Sequence, residues 1–323
     1  VDTETFYRKI WWPFIRRLAQ EEDIRYTGAI IETYGAQVKG PFQPLGGRAA
    51  RDGLIIYGRE LLNMGGELGL HGYNHQPLAP AGYGQPRLNY VPWESQADME
   101  EALRELRNYV KSVYPDYDFR FYVPPSNIMS PEGKAAIRKV FPEVIAFGSL
   151  FDGPANERAY YQDFERKDGV FELPRISSGH EDDGLMLWQE ISALNYIGVF
   201  SHFIHPDELF YEESANMTWQ GMSEGLKSFM HKIRVRYPWL TAETISDSLP
   251  LFSDYFDMDY RVRRTDDRLE LYSWGTGGEL HFLLRTAKEI ERTEGCTAEF
   301  ADDGVYLVRT SEARACIYWK GEK

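Results

Sequence analysis

The sequence predicts an α/β protein in which parallel strands alternate with helices, followed by a small all-β domain. As far as about residue 248, short apolar runs bounded by glycine and turn residues alternate with longer segments of helical period. From Leu249 onward the chain changes to short alternating runs separated by turn pairs, a texture typical of antiparallel strands. We therefore expect a parallel sheet or barrel over residues 1–248 and a β-rich accessory domain over residues 249–323.

The individual elements of the first domain follow from hydrophobic period and from start and stop signals. Ser130 and Pro131, for example, are a good N-cap and first residue for the helix EGKAAIRKVF. The predicted helices cover residues 6–19, 53–64, 98–113, 131–141 and 222–237. The predicted strands cover residues 24–31, 67–70, 119–123, 144–147, 170–176 and 195–203. Because chemistry in such folds collects at the carboxyl ends of strands, the residues that follow strands deserve notice: His71, Pro124, His180 and His205.

Composition excludes several function classes. The 36 basic and 50 acidic residues give a net charge of -14, which disfavours nucleic acid and anionic lipid as partners. No apolar run reaches the roughly 18 residues that a membrane span requires. Cys296 and Cys316 allow a disulfide without requiring one. Because Val1 opens directly on a motif, we expect an upstream targeting segment or domain.

The strongest chemical signal is LHGYNH at residues 70–75, which places His71 at a strand end and His75 four positions later. If the chain turns helical there, residues i and i+4 share a face, and both imidazoles can reach one cation at about 2.0–2.1 Å. The alternative is that the two histidines simply cap a loop. The pattern therefore indicates a metal site.

These residues resemble the second motif of the polysaccharide deacetylases, the NodB-like, family-four-like carbohydrate esterases. That motif is a His, then Ser or Thr, two further residues and a second His, and Gly72 stands here at the Ser/Thr place. The resemblance implies a distorted (β/α) barrel of the NodB type with a small C-terminal all-β appendage. It also implies one divalent metal ion, with Zn expected, held by His71 and His75.

The first motif of that family is a pair of carboxylates at the end of strand one, and VDTET at residues 1–5 occupies its place. Asp2 and Glu4 are two apart, so on a strand both side chains would point to the same side. The resemblance implies Glu4 as a metal ligand and Asp2 as the general base, with the reverse left open. The alternative is an exposed N-terminal stub.

The fifth motif is a His on the last strand, for which IGVFSHFIHPDEL offers His202 and His205. We prefer His205, at the strand exit, as the acid that protonates the leaving amine. His202 is as well explained as a satisfied core histidine.

The third motif is an Arg near a Pro-rich strand end, but the matching YVPPSN has none, and Arg120 is out of register. Together with VDTE, this variant resembles the branch of deacetylases associated with the Pel exopolysaccharide. We expect Pro125 and Asn127 to contact substrate there. His180, in the acidic loop 177–184, is expected to help bind a polymer that carries free amines, with a plain solvated loop as the alternative.

The resemblance implies metal-dependent hydrolytic N-deacetylation of an amino-sugar polysaccharide, with N-acetylgalactosamine and N-acetylglucosamine both open as the sugar. The partners expected are this polymer and an exopolysaccharide secretion complex, and no nucleic acid. An extracytoplasmic location follows from the substrate class. Two alternatives compete: a catalytically weak glycan-binding protein on the same barrel, and a metal-dependent amidohydrolase of a small amide.

Overall fold

The structure, a computed structural model, describes residues 3–43, 47–83, 90–148, 164–211, 217–275 and 277–321. The chain divides into two compact units. The first comprises Val1–Ile233 and Thr241–Ser248, and the second comprises Arg234–Leu240 and Leu249–Lys323.

A six-stranded sheet forms the centre of the first unit, in the order β1-β2-β3-β4-β6-β5. Its strands are β1 (Thr27–Ile30), β2 (Glu67–Leu70), β3 (Phe121–Tyr122), β4 (Ala146–Phe147), β5 (Glu165–Lys167) and β6 (Val170–Glu172). Neighbouring strands are parallel except β5, which is antiparallel to β6. A separate parallel pair contains β7 (Ser177–Ser178) and β8 (His202–Phe203). The α/β prediction is confirmed, whereas the described strands do not close into a barrel.

Helices connect these strands. They are α1 (Thr3–Phe6), a π-helical segment (Tyr7–Trp11), α2 (Trp12–Glu21), α3 (Gly47–Asn63), α4 (Gln96–Val113), α5 (Pro131–Val140), α6 (Gly184–Tyr196) and α7 (Trp219–Arg236). The predicted cap of α5 is confirmed, because the Ser130 hydroxyl accepts the Gly133 N–H at 3.0 Å. Among the described residues, no helix is both long and apolar enough to cross a membrane.

The core of the first unit lies along β2, whose four residues are all buried. Strands covered on both faces read as continuous apolar runs, which is why ELGL lacks alternation. Leu103 of α4 and Ile137 of α5 belong to the same buried cluster as Leu70. The parallel strands direct their carboxyl ends to one edge of the sheet, and His71 directly follows β2 there.

One predicted strand is wrong. Residues 195–203 were expected to be extended, but α6 continues to Tyr196 and only His202–Phe203 pair as a strand. Asp183 caps this helix by accepting the Met186 N–H at 2.6 Å, and Gly198 follows it at φ +72°. The N-cap and the C-terminal glycine therefore favour a helix more strongly than the β-branched residues of NYIGVF favour a strand.

The second unit contains two antiparallel sheets, ordered β12-β15-β10-β9 and β11-β14-β13. Helix α8 (Ile245–Asp257) precedes β9 (Asp259–Arg264), β10 (Arg268–Trp274), β11 (Leu280–Arg285), β12 (Ile290–Glu294), β13 (Thr297–Asp302), β14 (Val305–Thr310) and β15 (Arg314–Trp319). Both sheets contribute to one apolar core, which includes Leu271, Leu284, Val308 and Ile317. Cys296 and Cys316 are free thiols.

Candidate active site

His71 and His75 meet at the end of β2. The His71 N–H donates to the Ile30 carbonyl at 3.0 Å, which extends the β1–β2 pairing by one residue. The chain then forms a tight turn rather than the predicted helix, with φ values of +86° at Gly72, +53° at Asn74 and +55° at His75. This left-handed turn still brings the two imidazole centroids to 4.8 Å. The helical expectation was wrong, but the convergence of the two rings was right.

Each imidazole makes its hydrogen bond through Nδ1, and among the described residues neither Nε2 has a hydrogen-bond partner. The Nδ1 of His71 lies 2.8 Å from the Val123 carbonyl, which can only accept, so Nδ1 carries the proton and Nε2 a lone pair. The Nδ1 of His75 lies 3.1 Å from the Tyr90 hydroxyl, which in turn contacts Ser126 Oγ at 2.8 Å. Hydrogen bonding of the other ring nitrogen is the usual way in which metal-binding histidines are oriented.

The environment also favours the neutral form of both rings. Burial, followed by the neighbouring His75, lowers the pKa of His71 to about 4. Burial, followed by the charge of His205, lowers the pKa of His75, while Asp207 opposes this shift. Neutral imidazole is the form that binds a metal ion, so the pair has the donor chemistry of a two-nitrogen metal site.

Glu32 supports the turn from the end of β1. One of its carboxylate oxygens accepts the Asn74 N–H at 2.9 Å, and both residues are buried. Burial raises the pKa of Glu32 to about 7, although the bond from Asn74 works in the opposite direction. Its second oxygen and both polar atoms of the Asn74 side chain are buried without a partner among the described residues. Glu32 therefore places a carboxyl group against the backbone of the turn that joins the two histidines.

His205 follows β8, and its ring contacts Glu208. The Nδ1 of His205 lies 3.5 Å from one carboxylate oxygen of Glu208, and the Nδ1 of His180 lies 2.8 Å from the other. Burial alone would raise the pKa of Glu208, but the hydrogen bonds from His180 and His205 lower it to about 2. His205 is half-exposed, and it lowers the pKa of both His71 and His75.

A guanidinium group reaches the same region from an unexpected direction. Arg175 follows β6, and its guanidinium carbon lies 4.5 Å above the Phe203 ring. It also donates to the Asn127 side-chain oxygen at 3.4 Å, in the segment where the sequence lacks the expected Arg. The Phe203 ring in turn contacts His205, with ring centroids 4.5 Å apart. Arg175 thus brings positive charge to YVPPSN from another part of the chain.

Comparison with known proteins identifies the family. A family model described as "Uncharacterised protein conserved in bacteria (DUF2194)" matches residues 1–307. The chain belongs to the DUF2194 family. No curated protein sequence matches it.

Several solved structures resemble this DUF2194 chain weakly. A CE4 family pseudoenzyme from Bacillus anthracis is 11% identical with a TM-score of 0.40, over 73% of this chain and 59% of that one. A family 4 acetyl xylan esterase from Clostridium thermocellum, in complex with a cobalt ion, is 12% identical with a TM-score of 0.41, over 76% and 86% of the two chains. The Xyl-CE4 domain of a multidomain xylanase from the hindgut metagenome of Trinervitermes trinervoides is 11% identical with a TM-score of 0.38, over 74% and 82%. Similarities of this size carry no conclusion about activity.

The remaining predicted site residues of the DUF2194 chain are placed differently from expectation. Residues 3–6 form helix α1, so the strand geometry predicted for VDTET is wrong; Glu4 lies in that helix, and Asp2 lies outside the described residues. His180 and Pro125 are buried, so neither presents a side chain to a polymer at the surface. Asn127 is half-buried and contacts Arg175. Within the described part of the chain, no three His, Cys, Asp or Glu residues are grouped as a metal site.

Sequence reasoning missed four residues of this site: Glu32, Arg175, Asp207 and Glu208. For Glu32 a signal existed, because it directly follows the run IRYTGAII, which predicts a buried strand. Glu208 lies three residues after His205, within the PDEL segment. Its acidic side chain counted only toward the match to the fifth motif and was given no role of its own. The position of Arg175 depends on the fold of the chain and has no local sequence signal.

Proposed function

We propose that this protein is a metal-dependent hydrolase that removes N-acetyl groups from an amino-sugar polysaccharide. One observation carries the proposal. Two imidazoles, each hydrogen-bonded at Nδ1, converge at the carboxyl end of a central parallel strand, with their ring centroids 4.8 Å apart. A site with nitrogen donors and open positions suits a divalent cation in hydrolytic chemistry.

His71 and His75 would hold the cation through Nε2, with Zn expected. Such a cation, when bound, polarises a carbonyl group and lowers the pKa of water. The resemblance assigns Glu4 as the third ligand and Asp2 as the base. Glu32 is a second candidate for the carboxylate role, because it follows the strand next to β2 and one of its oxygens has no partner among the described residues.

The remaining groups would act on the substrate. His205 would protonate the leaving amine, and Glu208 would hold its ring in place through Nδ1. Arg175 would supply the positive charge that the YVPPSN segment lacks, with Asn127 and Phe203 fixing its guanidinium. In this proposal His180 acts through Glu208, and Pro125 shapes the turn beneath Gly72.

The test is acetate release from partially acetylated amino-sugar oligomers by metal-stripped protein, before and after Zn is added. We expect release only with Zn, and its loss in His71→Ala and His75→Ala. Asp2→Asn, Glu4→Gln and Glu32→Gln, assayed in parallel, identify the carboxylate that the reaction needs. His281→Ala is the matched control, because His281 is exposed in the second unit and paired with Glu279 at 3.0 Å. Release that survives removal of both histidines would refute the proposal.

A second candidate is a glycan-binding protein with little or no catalysis. It is favoured by the absence of a third metal-binding side chain next to the histidine pair among the described residues. This candidate predicts that the protein binds the oligomers, with or without metal, and releases no acetate. An amidohydrolase of small amides, the third candidate, predicts release from N-acetylated monosaccharides but not from oligomers.

The cellular setting of the proposed reaction follows from its substrate. An extracytoplasmic location, a Pel-like polymer as substrate and a secretion complex as partner are parts of the same proposal. Protease protection of the protein in intact cells tests the location. Comparison of N-acetylgalactosamine and N-acetylglucosamine oligomers in the acetate assay tests the sugar.

A further inference from the structure

The outer face of the four-stranded sheet in the second unit is rich in arginine and tyrosine. Along β10, Leu269 and Leu271 point into the apolar core, so Arg268, Glu270 and Tyr272 lie on the opposite face. The same alternation along β15 places Ala315 and Ile317 inward. The outer residues of the neighbouring strands follow from register: Arg261 and Arg263 on β9, Arg314, Cys316 and Tyr318 on β15, and Arg292 and Glu294 on β12.

Register arranges these side chains in rows across the strands. In one row, Tyr318 lies between Arg292 and Arg268. In another row, Tyr272 lies between Arg314 and Arg261. Strands lie about 4.8 Å apart, so the two arginines of a row are roughly 10 Å apart across the tyrosine. The two rows are four residues apart along β10, which corresponds to roughly 14 Å.

In the row between these two, several arginines bind one carboxylate, that of Glu270. Glu270 is buried beneath the guanidinium groups, with its oxygens 3.0 Å from Arg268 Nε, 3.1 Å from an Arg314 nitrogen and 3.9 Å from an Arg263 nitrogen. The hydrogen bond from Arg268 lowers the pKa of Glu270. One carboxylate therefore pairs with three guanidinium groups, and each guanidinium has five N–H donors. Most of those donors are left for other acceptors.

The face carries excess positive charge in an acidic protein. Five arginines are present with three carboxylates, Glu270, Glu294 and Asp267, the last of which pairs with Arg268 at 3.1 Å. The excess is two positive charges, on a chain whose net charge is -14. The side chains of Arg263 and Arg314 are 68% and 53% exposed. Arg261 is exposed and has no ion pair among the described residues. Glu270 lies opposite Arg263 across β9 and β10, but the two rows that contain the tyrosines hold arginines and no carboxylate.

We propose that this face binds a polysaccharide that carries carboxylate groups. Guanidinium forks match carboxylates in two-bonded geometry, and the tyrosine rings between them offer flat surfaces to sugar rings. A nucleic acid fits less well, because its dense charge meets strong repulsion from the rest of the chain. A glycan with one carboxylate per sugar has a lower charge density and meets less repulsion. This proposal is independent of the hydrolytic site in the first unit.

Isothermal titration of the full chain with oligogalacturonate tests the proposal. The methyl-esterified oligomer is the uncharged comparator, and single-stranded DNA of equal charge is the nucleic-acid comparator. We expect binding to oligogalacturonate that weakens as salt is added and is absent for the ester. The double variant Arg261→Gln/Arg314→Gln should weaken it about 10-fold or more, since loss of about 1.4 kcal/mol corresponds to tenfold.

Arg48→Gln is the matched control, because Arg48 lies on α3 in the first unit with a side chain 94% exposed. The single variant Arg261→Gln provides a second test, since it breaks no ion pair among the described residues and should leave folding intact. Three results would overturn the proposal: no binding of oligogalacturonate, equal binding of its ester, or tighter binding of the DNA. Equal losses in Arg48→Gln and in the double variant would also overturn it.

Discussion

Substitution of Glu190 by glutamine should change how stability depends on pH. Glu190 lies fully buried on α6, where one carboxyl oxygen contacts Ser177 Oγ and the other lies 3.4 Å from the Ser201 N–H. Ser177 Oγ also lies 2.7 Å from the Nδ1 of His202, whose Nε2 lies 2.8 Å from the Gly179 carbonyl. These contacts form one buried chain from carboxyl group to hydroxyl to imidazole.

The hydrogen-bond partners and the lowered pKa of His202 together give the proton positions in this chain. The Gly179 carbonyl can only accept, so His202 Nε2 carries a proton, and a neutral ring then needs a donor at Nδ1. Ser177 has a single proton and gives it to His202, so the Glu190 carboxylic acid donates to Ser177. Burial raises the pKa of Glu190 from 4.5 to about 8 and lowers the pKa of His202 from 6.5 to about 4, in agreement with this arrangement. Arg175, His180 and Glu208 are the charged or titratable groups that also act on His202.

The sign and size of the pH effect follow by linkage. The raised pKa of Glu190 makes stability fall as pH rises from 4.5 to 8, whereas the lowered pKa of His202 makes it rise from 4 to 6.5. The two effects cancel between pH 4.5 and 6.5, because folded and unfolded chains then hold one proton each. From pH 6.5 to 8 only Glu190 of this pair contributes, and it lowers stability by about 2 kcal/mol. Glu32, whose pKa is raised to about 7, adds a smaller decline below pH 7.

Urea unfolding of the first unit, followed at intervals from pH 6.5 to 8, measures this effect. Glutamine can keep both hydrogen bonds, donating to Ser177 and accepting from Ser201, so Glu190→Gln should remove about 2 kcal/mol of the decline without unfolding the protein. Glu181→Gln, in the exposed loop before α6, is the matched control. Parallel stability curves for the wild type and Glu190→Gln across this range would refute the proton assignment.

Three further predictions concern the turn at Gly72, the proposed acid His205 and the N-cap of α5. Gly72→Ala should lower the free energy of unfolding by about 1–2 kcal/mol in urea titrations, because φ is +86° there, and a smaller loss would show that the turn relaxes. Glu208→Gln should reduce acetate release about 10- to 100-fold by loosening His205, with Zn affinity unchanged; unaltered release would exclude a positioning role. Ser130→Ala should cost about 1 kcal/mol, measured by thermal unfolding, since its hydroxyl satisfies the buried Gly133 N–H; the exposed cap Ser95→Ala is the comparison and should cost less.

Most of the parallel sheet was predictable because each of its strands is a local pattern. Glu67–Leu70 appears in the structure with the predicted bounds, and the helices at 98–113 and 222–237 agree within a few residues. The failure at 195–203 has a physical cause: the capping residue Asp183 lies upstream of the apolar run, and it commits the segment to a helix before the β-branched residues begin. Strand propensity without its pairing partner was a weaker signal.

The site was predictable only where neighbouring residues in sequence carry it. His71 and His75 form one short motif, so their convergence could be inferred although the turn that produces it is left-handed. The helix at residues 3–6 could not be told from a strand on so short a segment, and the assignment of VDTET to the end of strand one failed for this reason. Arg175 and Asn127 are 48 residues apart, and only the folded chain brings them together.

Binding of a divalent cation by His71 and His75 is the central claim, and calorimetric titration of the metal-stripped chain with Zn tests it most directly. The account predicts one high-affinity cation per chain, lost in His71→Ala and in His75→Ala and retained in His281→Ala. Zn binding of unchanged affinity in both His71→Ala and His75→Ala would contradict it.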